Sequence, residues 1–134
     1  MRACTDILEL LAELLKYPSA GLSRSLELAQ EAIQEAEPEI ASRLAQFASA
    51  IGLLTDTERE ELYTRTFDVN PATALEIGWH LFGEDYYRGA LLVRLRRELR
   101  RHGIDECGEL PDHLTLVLVL LGRMTVSEAE VFAH

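Results

Sequence analysis

Between Leu114 and Leu121, seven of eight residues are aliphatic, and no other stretch limits the possible folds as tightly. A helix that is apolar on nearly every side has to be buried on nearly every side. The segment therefore predicts a central helix with other helices packed around it. Glu109, Leu110, Pro111, Asp112 and His113 lead into it. Pro111 suits a first helical turn, where its fixed φ is already helical and its missing N–H has no partner to lose. Asp112 beside it would set a negative charge against the positive end of the helix dipole. The expectation is two carboxylates and an imidazole, Glu109, Asp112 and His113, at the mouth of a buried helix. A core needs no charges there, so that mouth is the first candidate for function.

Helical periodicity recurs along the rest of the chain and strand signals are almost absent. Thr5 can cap a first helix carrying Ile7, Leu8, Leu11, Leu14 and Leu15, which ends at Tyr17-Pro18 because the residue before proline leaves the α region. Leu22, Leu26, Ala29, Ile33 and Ala36 mark one face of a second helix, stopped before Pro38. Ile40, Leu44, Phe47, Ile51 and Leu54 mark a third, and the short break between the two predicts an antiparallel hairpin. Thr55 and Glu58 have the spacing of a capping box, opening a helix through Leu62, Tyr63, Thr66 and Phe67 that Asp68-Val69-Asn70-Pro71 breaks. A short helix follows from Leu75 through Ile77, Trp79 and Phe82 to Gly83. A longer one runs from about Asp85 to His102, with Leu91, Leu92, Leu95 and Leu99 inward and Gly103 as its cap. Thr125 and Glu128 repeat the capping-box spacing before a last helix. The fold class is all-α, a single-domain helical bundle over residues 1–134.

The formal net charge is −10, from 23 acidic and 13 basic side chains. That surface repels nucleic-acid phosphates and anionic lipid and favours cationic partners within a Debye length of ~8 Å. Two cysteines, Cys4 and Cys107, are too few for a disulfide framework and lack metal-ligand spacing, so both read as reduced thiols. No apolar run reaches the roughly 18 residues a membrane span requires. Asp6, Glu9 and Glu13 interrupt the hydrophobic face expected of a signal peptide, so the expected location is cytoplasmic.

Enzyme motifs are missing: the chain has no Gly-rich phosphate loop, no H-E-x-x-H and no G-x-S-x-G. His80, with Glu76 one turn back and Glu84 one turn on, can be drawn as a metal site but reads better as a mixed-charge helix surface. His113 and Asp112 can be drawn as a base with an orienting carboxylate, although neighbours on a helix point about 100° apart. A hydrolase or metal-dependent enzyme using His80, Asp112 and His113 is therefore the rival reading, and a non-catalytic helical adaptor is a third. Arg94, Arg96, Arg97, Arg100 and Arg101 lie near a helix C-terminus, where the dipole favours cations. They read as a solvated, salt-bridged face rather than a nucleic-acid patch. Tyr63, Phe67, Trp79, Phe82, Tyr86 and Tyr87 concentrate within 25 residues. The set suits either core packing or the wall of a groove for an amphipathic peptide.

Three stretches carry a family resemblance: Tyr63-Thr64-Arg65-Thr66-Phe67-Asp68-Val69-Asn70, His80-Leu81-Phe82-Gly83-Glu84-Asp85-Tyr86-Tyr87-Arg88-Gly89 and Gly108-Glu109-Leu110-Pro111-Asp112-His113-Leu114. In this order and spacing, over roughly residues 60 to 121, they resemble the motif blocks of the NarJ-type (nitrate reductase delta-subunit) chaperones, part of the TorD-like group of molybdoenzyme maturation factors. The resemblance implies an all-helical fold with no catalysis and no cofactor of its own. It implies a partner, the N-terminal peptide of an apo molybdoenzyme catalytic subunit (twin-arginine-type or its remnant), held until molybdenum cofactor is inserted. By motif position the resemblance implies Tyr63 and Phe67 as groove aromatics, Glu109, Asp112 and His113 as the acidic and imidazole groups of the peptide site, and Arg88 in the block between; Asp68, Trp79, His80 and Tyr86 complete the expected peptide-binding set. Family members usually continue for further helices, whereas this sequence stops at His134. A bundle short at its C-terminus would expose core and favour a homodimer.

The expected mechanism places a helical peptide in an apolar groove, its basic residues against an acidic rim at Glu109 and Asp112. His113 would make such binding pH-dependent, because imidazole titrates near neutrality.

Overall fold

The computed structural model describes residues 2–134, with side chains from Asp6 onward. Eight α-helices follow one another: α1 (Arg2–Leu14), α2 (Leu22–Ile33), α3 (Pro38–Gly52), α4 (Asp56–Tyr63), α5 (Ile77–Phe82), α6 (Tyr86–Arg101), α7 (Leu114–Arg123) and α8 (Val126–Ala133). Among the described residues there is no strand, so the all-α class holds. The first helix begins upstream of Thr5, whose side chain lies outside the described residues.

The aliphatic segment is α7, and it sits at the centre. No residue from Leu114 to Leu121 is exposed. One side packs with α6 into a cluster of Leu95, Leu99, Leu116, Val117 and Leu120, closed by Ile104 and Phe132. Its other side packs on α1. The second cluster, Leu22, Leu26 and Ile51 with Leu14 and Leu62, lies among α1 to α4. Helices α2 and α3 pack on each other as the short break between them predicts, although Ile40 and Phe47 of the expected α3 face stay exposed. Both capping boxes form: Thr55 with Glu58, and Thr125 with Glu128. The two threonine bonds hold the exposed Glu128 carboxyl below its ordinary pKa, with a smaller contribution from Arg101.

Three departures from the sequence reading bear on the site. Pro111 does not open a helix: α7 starts at Leu114, with His113 as its N-cap, and Pro111 is fully buried ahead of it. The backbone at 112–114 is instead engaged with residues 75–77, through Ile77 N–H to the Asp112 carbonyl at 3.0 Å and Leu114 N–H to the Leu75 carbonyl at 2.8 Å. Leu75 accordingly belongs to an extended segment and not to α5. Third, α4 does not run on as an α-helix through Phe67. It stops at Tyr63 and passes into a π-helical turn, Thr64–Asp68, closed by Val69 N–H to the Thr64 carbonyl at 3.0 Å. The wider turn frees the Thr66 carbonyl, which the Thr73 hydroxyl takes up from the following 3-10 turn. Single π turns of this kind are common at functional sites.

Candidate functional site

Two cavities share two side chains, Lys16 and Tyr63. The first is a carboxylate-bearing cleft of 660 Å³ between α1, the loop 103–109 and the start of α7. Six carboxylates line it (Asp6, Glu9, Glu13, Asp105, Glu106 and Glu109) against two cations, Lys16 and Arg123. Both cations are committed, Lys16 to Glu13 and Arg123 to Glu9. The second is an apolar groove of 520 Å³ bounded by Leu15, Leu44, Phe47, Leu62, Phe67 and Leu118, among others. Tyr63 belongs to both walls.

Tyr63 is held rather than loose. Its hydroxyl donates to the Leu15 carbonyl at 2.9 Å, and its ring meets Tyr17 edge-on at 5.4 Å and Phe67 at 5.0 Å. Burial, followed by the fields of Asp68, Glu109 and Glu76, pushes its pKa up to about 12. The phenol therefore stays protonated and keeps donating.

The sequence-derived residues separate into two groups. Tyr63, Phe67, Asp68, Glu109 and His113 converge on a small cavity of 120 Å³ between cleft and groove. Trp79, His80, Tyr86 and Arg88 line neither cleft nor groove. His80 Nε2 is bonded to the Ala74 carbonyl at 2.7 Å, and Tyr86 is 86% exposed on α6, beside Tyr87 and near Phe82. The six clustered aromatics therefore do not form one wall. Drawing His80 with Glu76 and Glu84 also fails, because Glu76 is the extended N-cap of α5 and has no helical register with His80. The residues of the rival enzyme reading are not assembled either. Among the described residues, the potential ligand set of three is Glu76, Glu109 and His113, without His80 or Asp112.

Asp112 is placed differently from the sequence expectation. Its side chain has no exposed surface, and Oδ2 accepts from the Gly78 amide at 3.0 Å and from Arg88 Nε at 3.2 Å. The negative charge thus meets the N-terminus of α5 rather than that of α7, and it ties α5, α6 and the lead into α7 together. Asp112 cannot form part of an acidic rim in this conformation.

His113 faces the other way. Its Nδ1 is 2.7 Å from Thr115 Oγ1, and Nε2 lies 3.8 Å from Glu109 Oε2. Glu76 and His113 are directly opposed in an isolated antiparallel bridge, at the pair flanked rather than joined by the backbone bonds. That is the closer of the two antiparallel pairings, with side chains side by side. Nothing local in the sequence announces this partnership of residues 37 positions apart. Tyr17, Phe47, Glu76 and Leu118 are the site residues that sequence reasoning missed. Tyr17 read as a helix end, Phe47 and Leu118 as core-facing helix residues, and Glu76 as a surface carboxylate beside His80.

Among the described residues, two of the five arginines expected on a salt-bridged face of α6 are in salt bridges. Arg96 pairs with Glu106 at 2.7 Å, Arg101 with Glu98 and Glu128, and Arg94 lies over the Phe132 ring. No helix is long and apolar enough to cross a membrane among the described residues.

An all-helical chain of this construction, with the first and third motif blocks meeting at one acidic and aromatic cavity, matches the family described as nitrate reductase delta subunit over residues 28–133. It belongs to that family. The nitrate reductase molybdenum cofactor assembly chaperone NarJ of Escherichia coli K12 is 32% identical over 126 residues, covering 91% of this chain and 53% of that protein. The protein of the same description from Escherichia coli O157:H7 matches to the same extent. The chain spans about half the length of these curated relatives.

Proposed function

We propose that this chain is the peptide-docking part of a cytoplasmic, non-catalytic chaperone that holds the apo catalytic subunit of a nitrate reductase or related molybdoenzyme while molybdenum cofactor is inserted. The family membership supports the chaperone class. The observation that carries the peptide reading is Tyr63, shared between an apolar groove and an acidic cleft. An amphipathic N-terminal peptide carrying basic residues has the matching pattern. Its aliphatic face would lie along Phe47, Leu62, Phe67 and Leu118, and its cations would enter among Glu9, Glu13, Glu106 and Glu109.

Magnitudes divide the work between the two cavities. Three or four buried aliphatic anchors contribute ~1.5–3 kcal/mol each, against an association cost of ~4–15 kcal/mol. The groove therefore supplies the larger share of affinity, and the carboxylates supply orientation and association rate. Calorimetric titration with a synthetic N-terminal peptide of the partner's catalytic subunit tests the proposal. One peptide should bind per chain and Tyr63→Ala should weaken it. Wild-type affinity retained in Tyr63→Ala would remove the docking site.

A further inference from the structure

We propose that Glu76, Glu109 and His113 form a binding site for a divalent transition-metal cation, with Zn²⁺ the best match to its mixed imidazole and carboxylate donors. One donor atom from each residue lies within 4.8 Å of the other two. A tetrahedral Zn²⁺ with bonds of roughly 2.0–2.2 Å needs donors ~3.4 Å apart. The remaining closure falls on Glu109, whose side chain is 52% exposed, and on the half-buried Glu76. Both would close to the required spacing by side-chain rotation. Three protein donors leave a fourth position for water.

The backbone preorganises the set. The antiparallel bridge fixes Glu76 directly opposite His113, and Glu109 comes from the loop four residues before His113. His113 is only 6% exposed, and among the described residues its Nε2 has no hydrogen bond, with Glu109 Oε2 at 3.8 Å as its charged neighbour. At the other nitrogen, Thr115 Oγ1 is at 2.7 Å while the Thr115 amide is at a long 3.4 Å. These contacts hold the ring with Nε2 toward Glu109; metal binding at Nε2 would put the proton on Nδ1, which would then donate to the Thr115 hydroxyl instead of accepting the Thr115 amide. Metal-bound histidines are oriented in this way, through a hydrogen bond at the non-ligating nitrogen.

The small cavity itself holds no competing cation. Asp68, Glu76 and Glu109 line the 120 Å³ cavity with His113, Tyr17, Tyr63, Phe67 and Leu75, and no lysine or arginine is among them. Arg88, the nearby guanidinium, is committed to Asp112. Three carboxylates beside one imidazole repel one another until a cation joins them. Their field is felt at Tyr63, whose pKa both Glu109 and Glu76 help to raise.

Chelator-treated protein titrated with ZnCl₂ by calorimetry, and with Co²⁺ by visible absorption, tests the site. One ion per chain should bind, with a rise in melting temperature. Glu76→Gln and Glu109→Gln should each weaken binding at least about tenfold, while Glu130→Gln on the exposed face of α8 leaves it unchanged. Both Gln substitutions spare the fold, since neither carboxylate caps a helix. Absence of saturable binding, wild-type affinity retained in either Gln variant, or a thiolate-to-cobalt band marking a cysteine ligand would each overturn the proposal.

Discussion

Asp112 and Arg88, 24 residues apart in sequence, meet at 3.2 Å with the carboxylate wholly enclosed and the guanidinium side chain 22% exposed. The same oxygen, Oδ2, also accepts the Gly78 amide, while Oδ1 is buried without a partner among the described residues. An enclosed carboxylate in this position acts as an internal tie, and its substitution should be read in stability before binding. Asn at position 112 can still offer one oxygen to both donors and loses only the charge. Ala removes the acceptor and strands Arg88. We expect Asp112→Asn to lower stability by about 1–2 kcal/mol and Asp112→Ala by about 3 kcal/mol. Urea unfolding followed by circular dichroism measures both, and equal losses in the two variants would contradict the tie.

Gly78 shows how closely that tie is packed. A Cβ built there would lie 2.5 Å from Asp112 Oδ2, 3.1 Å from Arg88 Cγ and 3.2 Å from Leu91 Cδ2. Alanine is otherwise a better helix former than glycine, so intrinsic propensity alone makes Gly78→Ala stabilising. The contact with Oδ2 decides the sign. Gly78→Ala should cost about 1–3 kcal/mol, and in a double variant with Asp112→Ala the two losses should fall short of their sum, because the clashing oxygen has gone. Full additivity in urea unfolding would remove the steric account.

Much of the fold was legible because its signals are local. Leu114 to Leu121 announces a buried helix by composition, and the Thr55–Glu58 and Thr125–Glu128 boxes announce helix starts by spacing. The site was legible only in part, because it is assembled by long-range pairing. Nothing near Glu76 points to His113, and nothing near Asp112 points to Gly78 and Arg88. Asp112 and His113 are adjacent in sequence yet serve opposite sides of the chain, since the stretch ahead of α7 is extended rather than helical. Residues in an extended segment alternate faces, and that alternation separates the structural carboxylate from the imidazole open to the cavity. The π turn after Tyr63 was equally hidden, because the apolar spacing from Leu62 to Phe67 suits an ordinary helix.

Tyr63 should report its surroundings under alkaline conditions. Its pKa stands near 12 in the folded chain against an ordinary 10.0, chiefly through burial and then through Asp68, Glu109 and Glu76. A folded-state pKa above the unfolded value gives stability that is complete below the unfolded pKa and is lost as pH rises through the folded one. The contribution should therefore be intact at neutral pH and decline between about pH 10 and 12. Tyrosinate absorbance should show a step near pH 12 that Tyr63→Phe abolishes. If the variant keeps that step, the Tyr63 hydroxyl is not shielded as described.

The two cavities should separate in a salt series with the same client peptide. Phe47 lines the apolar groove and is 45% exposed, so Phe47→Ala can be made with little damage to the core. It removes apolar contact worth about 1–2 kcal/mol, equivalent to a loss of affinity of about tenfold. That loss should be the same at low and high salt, because no charge is involved. Glu109→Gln and Glu13→Gln, in the acidic cleft, should behave in the opposite way. Their effect should be a few-fold at low salt, fall mainly on the association rate, and fade as ionic strength shortens the Debye length. Surface plasmon resonance at two salt concentrations resolves both quantities. Interchanged salt responses would mean that the peptide's apolar and basic faces lie the other way round across Tyr63.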